Sequence, residues 1–325
     1  MQATAIAHPN VALIKYWGKR DRDTNLPAVG SLSLTLSGLE TRTTIWLDKD
    51  STEDQLVLNG QPDSSATARA RLCLDLLRER AGIEAGASVE STNNFPTAAG
   101  LASSASGFAA LVKAGAAALG IDADADALAG VARIGSGSAP RSLYDGIVVL
   151  ENRESDTATG SVHCATISAP DNWPLAVMVV ITSSAAKEIG STEGMELSRK
   201  TSPYYQAWLD THQADLDAAL GAVREQDFDA LAELSERSCL KMHAVAMTSQ
   251  IPLFYWSAAT VACMQRVWEL RRSGVPVFFT IDAGPQVKAV CLPEVATQVK
   301  AELARVQGVQ DVIECGLGQG AWVES

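Results

Sequence analysis

The sequence predicts an α+β protein of two domains. Three observations carry this prediction. Strand-like and helical stretches are mixed along the chain without the strict alternation of a doubly wound sheet. At 325 residues the chain is long enough for a large core divided between two subdomains. Its content, 47% hydrophobic and 20% charged, is that of an ordinary globular protein.

The elements follow in order. NVALI (10–14) is a strand-like apolar run. TRTTIWLD (41–48) and DQLVLNG (54–60) predict the strands of a hairpin, with Asn59-Gly60 as a turn signal. ATARARLCLDLLRERAG (66–82) places Leu72, Leu76 and Leu77 at helical spacing and stops at Gly82. ASVEST (87–92) predicts a strand, followed by a loop of small residues and a helix to about Leu119. DADALAGVARIG (124–135) predicts another helix, and GIVVLE (146–151), SVHCATIS (161–168) and PLAVMVVIT (174–182) predict strands. Helices are expected over 203–221, 226–243 and 257–273. VPVFFTIDAG (275–284) and VKAVCL (287–292) predict a strand pair, and the chain closes with a strand and a Gly-rich tail. A weakly marked boundary near 170–185 divides the chain into expected domains 1–180 and 181–325.

Composition excludes several classes. A formal net charge of -12 argues against a nucleic-acid or membrane-surface binder, which needs a basic face. The N-terminus, MQATAIAHPNVALIKYW, has no basic region before a long apolar run, and no stretch offers a membrane span. The six cysteines (73, 164, 239, 263, 291, 315) are scattered without a CxxC, as expected of reduced, buried thiols in a cytoplasmic protein. Four isolated histidines and no HExxH make a histidine-built metal site or a Ser-His-Asp array a poor expectation.

Four segments carry chemistry. PTAAGLASSASGF (96–108) places small residues where a strand gives way to a helix. The unpartnered N–H groups and the dipole of a helix start favour an anion, and Gly100 permits its close approach. Ser103 and Ser104 can cap the helix or offer hydroxyls to phosphate or magnesium. The segment is neither a Walker loop nor GxGxxG, and alone it reads equally well as a tightly packed Ala-rich helix. RIGSGSAPRS (133–142) adds Ser136, Ser138 and the planar guanidinium of Arg141, suited to a carboxylate or phosphate, against the alternative of a surface turn. KYWGKRDR (15–22) gathers Lys15, Lys19, Arg20 and Arg22 against the single acid Asp21, a local anion site in an acidic chain. In FFTIDAGP (278–285), Asp282 ends an apolar strand beside a Gly turn, where it either reaches into a cleft or caps an Asx turn.

Together these segments resemble one family. PTAAGLASSA is similar to the PxxxGLxSSA phosphate loop of the GHMP kinases, and NVALIKYWGKRD, GSGSAPRS, STEGM (191–195) and IDAGP narrow the resemblance to the mevalonate diphosphate decarboxylases. It spans about residues 8 to 290. Pro140 stands where eukaryotic members carry Cys, a change that stiffens the turn and leaves Ser138 and Arg141 in place. The resemblance implies an N-terminal α/β domain, a C-terminal ferredoxin-like domain and an active site in the cleft between them. It implies ATP and Mg²⁺, mevalonate 5-diphosphate as substrate, and a homodimer. Asp282, Lys15 and Arg141 are then the catalytic set, with Asp282 as base or orienting acceptor for the C3 hydroxyl. Tyr16, Lys19, Ser136, Ser138, Arg141, Ser191 and Met195 are matched to the substrate. Pro96, Ala99, Gly100, Leu101, Ala102, Ser103 and Ser104 are matched to ATP, with no protein-built metal cage. Three alternatives stay open: a decarboxylase of mevalonate 5-phosphate, a kinase of the same fold acting on a mevalonate derivative, and a ligand-binding member without catalysis.

Overall fold

The computed structural model describes residues 1–95, 103–153, 162–183 and 189–324. The first part of the chain runs β1 (Gln2–Ala7), β2 (Asn10–Ile14), β3 (Lys19–Asp21), β4 (Leu26–Pro27), β5 (Ser31–Thr35), β6 (Thr41–Asp48), β7 (Asp54–Leu58), β8 (Gln61–Pro62), α1 (Ser64–Ala81) and β9 (Gly86–Asn93). It continues through α2 (Ser103–Ala118), α3 (Ala125–Gly135), a short 3₁₀ turn (Ala139–Leu143), β10 (Ile147–Glu151) and β11 (His163–Ser168). The second part comprises β12 (Ala176–Ile181), α4 (Ser191–Thr201), α5 (Tyr205–Glu225), α6 (Phe228–Met247), α7 (Ala258–Arg272), β13 (Val277–Ile281), β14 (Val287–Cys291), α8 (Ala296–Ala304), β15 (Asp311–Cys315) and β16 (Trp322–Val323).

Three main sheets organise these elements. The first has the order β16-β1-β6-β9-β7-β8, the second β11-β10-β5-β2 and the third β13-β14-β12-β15, while β3 and β4 form a small ribbon. With its helices, the third sheet follows the β-α-β-β-α-β order of a ferredoxin-like unit, with the strand order 4-1-3-2 read from β15. The chain end returns to the first sheet, where β16 pairs with β1.

The helix ends follow from their flanking residues. The Asp63 carboxylate accepts from the Ala66 amide at 2.8 Å to open α1, and Gly82 closes the helix at φ 64°. Asp124 and Asp227 open α3 and α6 in the same way, and Ser257 with Thr260 forms a capping box on α7. The Ala-rich α2 packs close against the first sheet and α1, so close that a Cβ on Gly115 would lie 2.9 Å from Leu77 Cδ1.

One expectation is corrected. The strands at 41–48 and 54–60 do not form a hairpin with each other. β9 lies between them, antiparallel to β6 and parallel to β7. Asn59-Gly60 does make a turn, both residues at positive φ, but it joins β7 to the two-residue β8. The parallel β7–β9 pair then needs a crossover, which α1 supplies. α4 and α8 also formed where the sequence reading assigned no helix.

The cores join the sheets. One lies under the first sheet against α1, α2 and α3. A second holds Leu13, Leu32 and Leu34 of the second sheet against Val177, Val179, Phe278 and Val290 of the third, with α5 and α6. A third fills the opposite face of the third sheet under α7 and α8. Burial on both faces explains why AVMVVI and VFFTI read as continuous apolar runs rather than alternating strands.

Leu77, fully buried in the first core, tests this packing. Leu77→Ala should lower stability by about 2–5 kcal/mol, seen as a lower urea midpoint, because the rigid surround cannot close the cavity. A midpoint equal to wild type would show that α1 is not held by this contact.

Candidate active site

Two strand ends build the centre of the site. β2 and β13 are each edge strands of their sheets, and each is followed directly by a charged residue, Lys15 after Ile14 and Asp282 after Ile281. The two edges are tied at the Ala12 carbonyl, which accepts from Lys15 Nζ at 2.8 Å and from Thr280 Oγ1 at 3.0 Å. Lys15 Nζ also donates to Asp282 Oδ1 at 2.6 Å. Lys288, buried on β14, places its Nζ 3.4 Å from Asp282 Oδ2.

Burial alone would push the Asp282 carboxyl up, but the ammoniums of Lys15 and Lys288 overcome this and hold it well below the usual carboxylate range. The carboxylate is therefore ionised around neutral pH, and its side chain stays 27% exposed toward the cleft while Lys15 is 1% exposed.

Arg141 lies in the 3₁₀ turn, with Pro140 just before it at the start of the turn. It is 3% exposed, and among the described residues no carboxylate lies within ion-pair distance. Neutral groups aim it instead. Its Nε donates to Asn10 Oδ1 at 3.2 Å and Nη1 to Ser31 Oγ at 2.7 Å, while Asn10 Nδ2 donates to Ser142 Oγ at 2.7 Å. Burial disfavours the charge of this guanidinium, and the field of Asp282 acts the other way. A buried cation without an anion is costly, so the arrangement is suited to an anionic ligand.

The remaining predicted residues face the same space. Lys15, Tyr16, Lys19, Ser103, Ser104, Ser136, Ser138, Arg141, Ser191, Met195 and Asp282 all line one cavity of about 650 Å³. Pro96, Ala99, Gly100, Leu101 and Ala102 lie outside the described residues. Tyr16 Oη is buried without a hydrogen-bond partner, and burial pushes its phenol above the ordinary value. Lys19 Nζ donates to Asn25 Oδ1 at 2.6 Å and Thr192 Oγ1 at 3.0 Å. Ser104, Ser136 and Ser138 form a hydroxyl chain, with Oγ separations of 3.3 and 3.1 Å, that links the start of α2 to the turn after α3.

Gly18 explains why KYWGK needs its glycine. Its φ is +116°, and a Cβ would lie 2.1 Å from Tyr205 Oη. The chain can reverse here, so that Tyr16 and Lys19 both reach the cavity.

Sequence reasoning missed Asn10, Ser31, Lys288 and Arg69. Lys288 carried a signal, a lysine inside the apolar run VKAVC of a buried strand. Arg69 lines the cavity from α1 with its guanidinium 5.0 Å over the Phe108 ring, and as a spaced basic residue on an amphipathic helix it looked like ordinary surface. Asn10 and Ser31 carried no signal, because their role depends on the pairing of β2 with β5.

The comparisons agree with this geometry. Residues 7–162 match the diphosphomevalonate decarboxylase-like N-terminal domain, and residues 177–319 match the mevalonate 5-diphosphate decarboxylase C-terminal domain. The chain belongs to the diphosphomevalonate decarboxylase family. It is 35% identical to the diphosphomevalonate decarboxylase of Candida albicans over 98% of this chain and 96% of that one. It is 36% identical to the Homo sapiens enzyme over 92% of this chain and 78% of that one. Among solved structures, mevalonate diphosphate decarboxylase from Staphylococcus aureus superposes with TM-score 0.92 at 36% identity, covering 100% of this chain and 98% of that one. A structure of MDDEF in complex with MVAPP, AMPPCP and magnesium superposes with TM-score 0.91 at 35% identity, covering 100% and 99%.

Within this family member, Lys288 is testable through charge alone. Lys288→Met leaves Asp282 with one ammonium, so its carboxyl should rise from its depressed value. A depressed carboxylate loses its ionised form only as pH falls through the folded value. The acid limb of kcat/KM should therefore move to higher pH in the variant, and an unmoved limb would show that Lys288 does not act on Asp282.

Proposed function

We propose that the chain decarboxylates mevalonate 5-diphosphate at the expense of ATP, giving isopentenyl diphosphate, ADP, phosphate and CO₂. The observation that carries this reading is the Lys15–Asp282 pair beside the unpaired, buried Arg141, in one cavity with the start of α2. The named enzymes that the chain resembles, and the structural neighbour in complex with MVAPP, AMPPCP and magnesium, support the same substrates here.

The residues divide the work. Asp282 accepts the hydrogen bond of the C3 hydroxyl and aims its oxygen at the γ-phosphorus. Held below the usual range by two ammoniums, it is a weak base before reaction and takes the proton only as the oxygen–phosphorus bond forms and that oxygen becomes acidic. Lys15 offsets charge on the transferring phosphoryl group. The C3–O bond then breaks, phosphate leaves with its electrons, and the C1–C2 electrons close the C2=C3 double bond as CO₂ departs. Arg141, aimed by Asn10 and Ser31, holds the C1 carboxylate in line for this step.

Tyr16, Lys19, Ser136 and Ser138 meet the diphosphate, which gives the orphaned Tyr16 hydroxyl an acceptor. Ser103 and Ser104 face the ATP phosphates, and the Ser104–Ser136 contact couples the two phosphate sites. The hydroxyl oxygens of Ser103 and Ser104 suit magnesium, which would be carried by the nucleotide and would neutralise its phosphates. We also infer a homodimer and a cytoplasmic location, in keeping with the resemblance and with soluble, highly charged substrates. Among the described residues no helix is long and apolar enough to cross a membrane.

A coupled ADP assay across mevalonate, its 5-phosphate and its 5-diphosphate, with CO₂ measured in parallel, decides the substrate. ADP and CO₂ should appear together, with the diphosphate preferred over the monophosphate by at least about 100-fold in kcat/KM, the scale of one or two charge-assisted hydrogen bonds. Equal or better use of the monophosphate would transfer the assignment to a mevalonate 5-phosphate decarboxylase. ADP without CO₂ would make the protein a kinase. Asp282→Asn should lower turnover by ~10²–10⁴-fold while nucleotide binding stays near wild type. A variant retaining more than about a tenth of the activity would remove Asp282 from the reacting centre.

Lys19 adds a pH dependence. Burial, with Arg22 and Arg69 nearby, lowers its ammonium from 10.5 to about 8 in the free protein. Its charged form is complete below that value and is lost as pH rises through it. kcat/KM for the diphosphate should therefore fall above about pH 8, with kcat flatter because bound diphosphate restores the charge. Lys19→Arg should move this fall upward, and Lys19→Ala should abolish it at roughly 10–100-fold lower kcat/KM. An identical alkaline limb in Lys19→Ala would assign the titration elsewhere.

A further inference from the structure

The structure gives α6 a task at the reacting centre. β13 is an edge strand, so the backbone groups of Phe279 and Ile281 that point away from β14 have no strand to pair with. Side chains of one helix answer them in register. Glu236 Oε1 accepts from the Phe279 amide at 3.2 Å. Cys239 Sγ accepts from the Ile281 amide at 3.3 Å and lies 3.5 Å from the Ile281 carbonyl. His243 Nε2 lies 3.2 Å from the same carbonyl. A carbonyl oxygen only accepts, so Nε2 carries the hydrogen and donates. Residues 236, 239 and 243 fall on one face of α6 at i, i+3 and i+7.

The same helix holds the other half of the pair. From a neighbouring face, Ser238 Oγ accepts from the backbone amide of Lys15 at 2.9 Å. α6 is therefore wedged between the two strand ends, with one contact at Lys15 itself and the others along the end of β13, from the Phe279 amide to the Ile281 carbonyl of the peptide that precedes Asp282.

We propose that His243 is a positioning residue for the reaction, fixing the Ile281–Asp282 peptide, and through it the Asp282 carboxylate, relative to Lys15. The inference rests on the decarboxylase reading above. His243 is fully buried, with its ring packed 4.8 Å from that of Trp256. Burial, reinforced by the nearby charge of Lys15, lowers its pKa to about 3, so the imidazole is neutral throughout the working range and takes no part in proton transfer. Its contribution is a directed N–H bond to a carbonyl whose other donor is a weak thiol. Without that bond the peptide can rotate, and Asp282 shifts on its short link to it. A displacement of about 1 Å at a reacting group is enough for a rate loss of the order of 10²-fold.

The test compares His243→Phe, which keeps ring volume without the donor, with His243→Gln, which returns an N–H near the Nε2 position. kcat should fall ~10–100-fold in His243→Phe while KM for mevalonate 5-diphosphate and for ATP stays within about threefold, and His243→Gln should recover most of the loss. In an Asp282→Asn background the same substitution should change little, because the group it positions no longer works. Wild-type kcat in His243→Phe, no recovery in His243→Gln, or a loss that adds in full to that of Asp282→Asn would each overturn the proposal. If His243→Phe fails to fold, Cys239→Ala removes the second contact to the same peptide and should lower kcat by about 3–10-fold with unchanged KM, while wild-type kcat there overturns the proposal. A readout without substrate separates this inference from the decarboxylase reading. The ¹³C carboxyl signal of Asp282 should titrate at higher pH in His243→Phe, as its contact with Lys15 loosens. An unmoved titration overturns positioning, whereas a wild type that fails to turn over the diphosphate overturns only the reading of function.

Discussion

The site depends on a single junction, the 2.6 Å contact between Lys15 and Asp282 at the ends of two sheet edges. Neither charge is tolerable alone at such burial. Lys15 is enclosed, and without its cations the Asp282 carboxyl would be pushed up by burial. Each residue therefore requires the other, and each follows an edge strand of a different sheet. The fold has to bring β2 and β13 together before either group has a stable state, so assembly of the two domains and assembly of the reacting centre are one event. The shared Ala12 carbonyl, bonded from both sides, is the backbone part of the same junction.

The second constraint is charge. A chain with a net charge of -12 binds polyanions only by concentrating its few cations in one place. Lys15, Lys19, Arg22, Arg69 and Arg141 all line one cavity, and of these only Lys15 has an acidic ion-pair partner among the described residues. Elsewhere several basic side chains are matched to acids, as with Arg199 and Lys200 on Glu196 or Arg237 and Lys241 on Asp215. The acidic exterior thus sharpens the contrast with the cleft. It also explains why an overall charge that argues against a nucleic-acid binder says nothing against a substrate with several phosphates.

The motifs were legible in sequence because they lie on loops and element ends, where Gly, Ser and charged residues have no structural reason to gather. KYWGK, GSGSAPRS and IDAGP all came to the cavity. What stayed hidden depends on pairing between distant strands. The Asn10–Arg141–Ser31 contacts exist only because β2 lies beside β5, and Glu236, Cys239 and His243 matter only because β13 ends a sheet. The false hairpin has the same cause. Local turn chemistry located the bend at Asn59-Gly60 correctly, but only the α1 crossover decided which strand lies beside β7. Lys288 is the intermediate case, since a lysine inside a buried apolar strand is anomalous on its own, yet its partner lies on the neighbouring strand.

The arrangement also separates precision from capture. The reacting groups follow strands whose side chains share one continuous core: Leu13 and Leu34 on one sheet pack with Val177, Val179 and Phe278 on the other. Such packing resists displacement, because close-packed interiors transmit strain rather than absorb it. The groups matched to phosphate lie on the turn after Gly18, the turn after α3 and the starts of α2 and α4, where backbone amides and hydroxyls can adapt to a flexible, highly charged tail. Carbon–oxygen and carbon–carbon cleavage need alignment to a fraction of an ångström, whereas phosphate binding needs many donors and tolerates movement. Placing the first task on strand ends and the second on loops lets one cavity satisfy both, and α6 touches both strand ends.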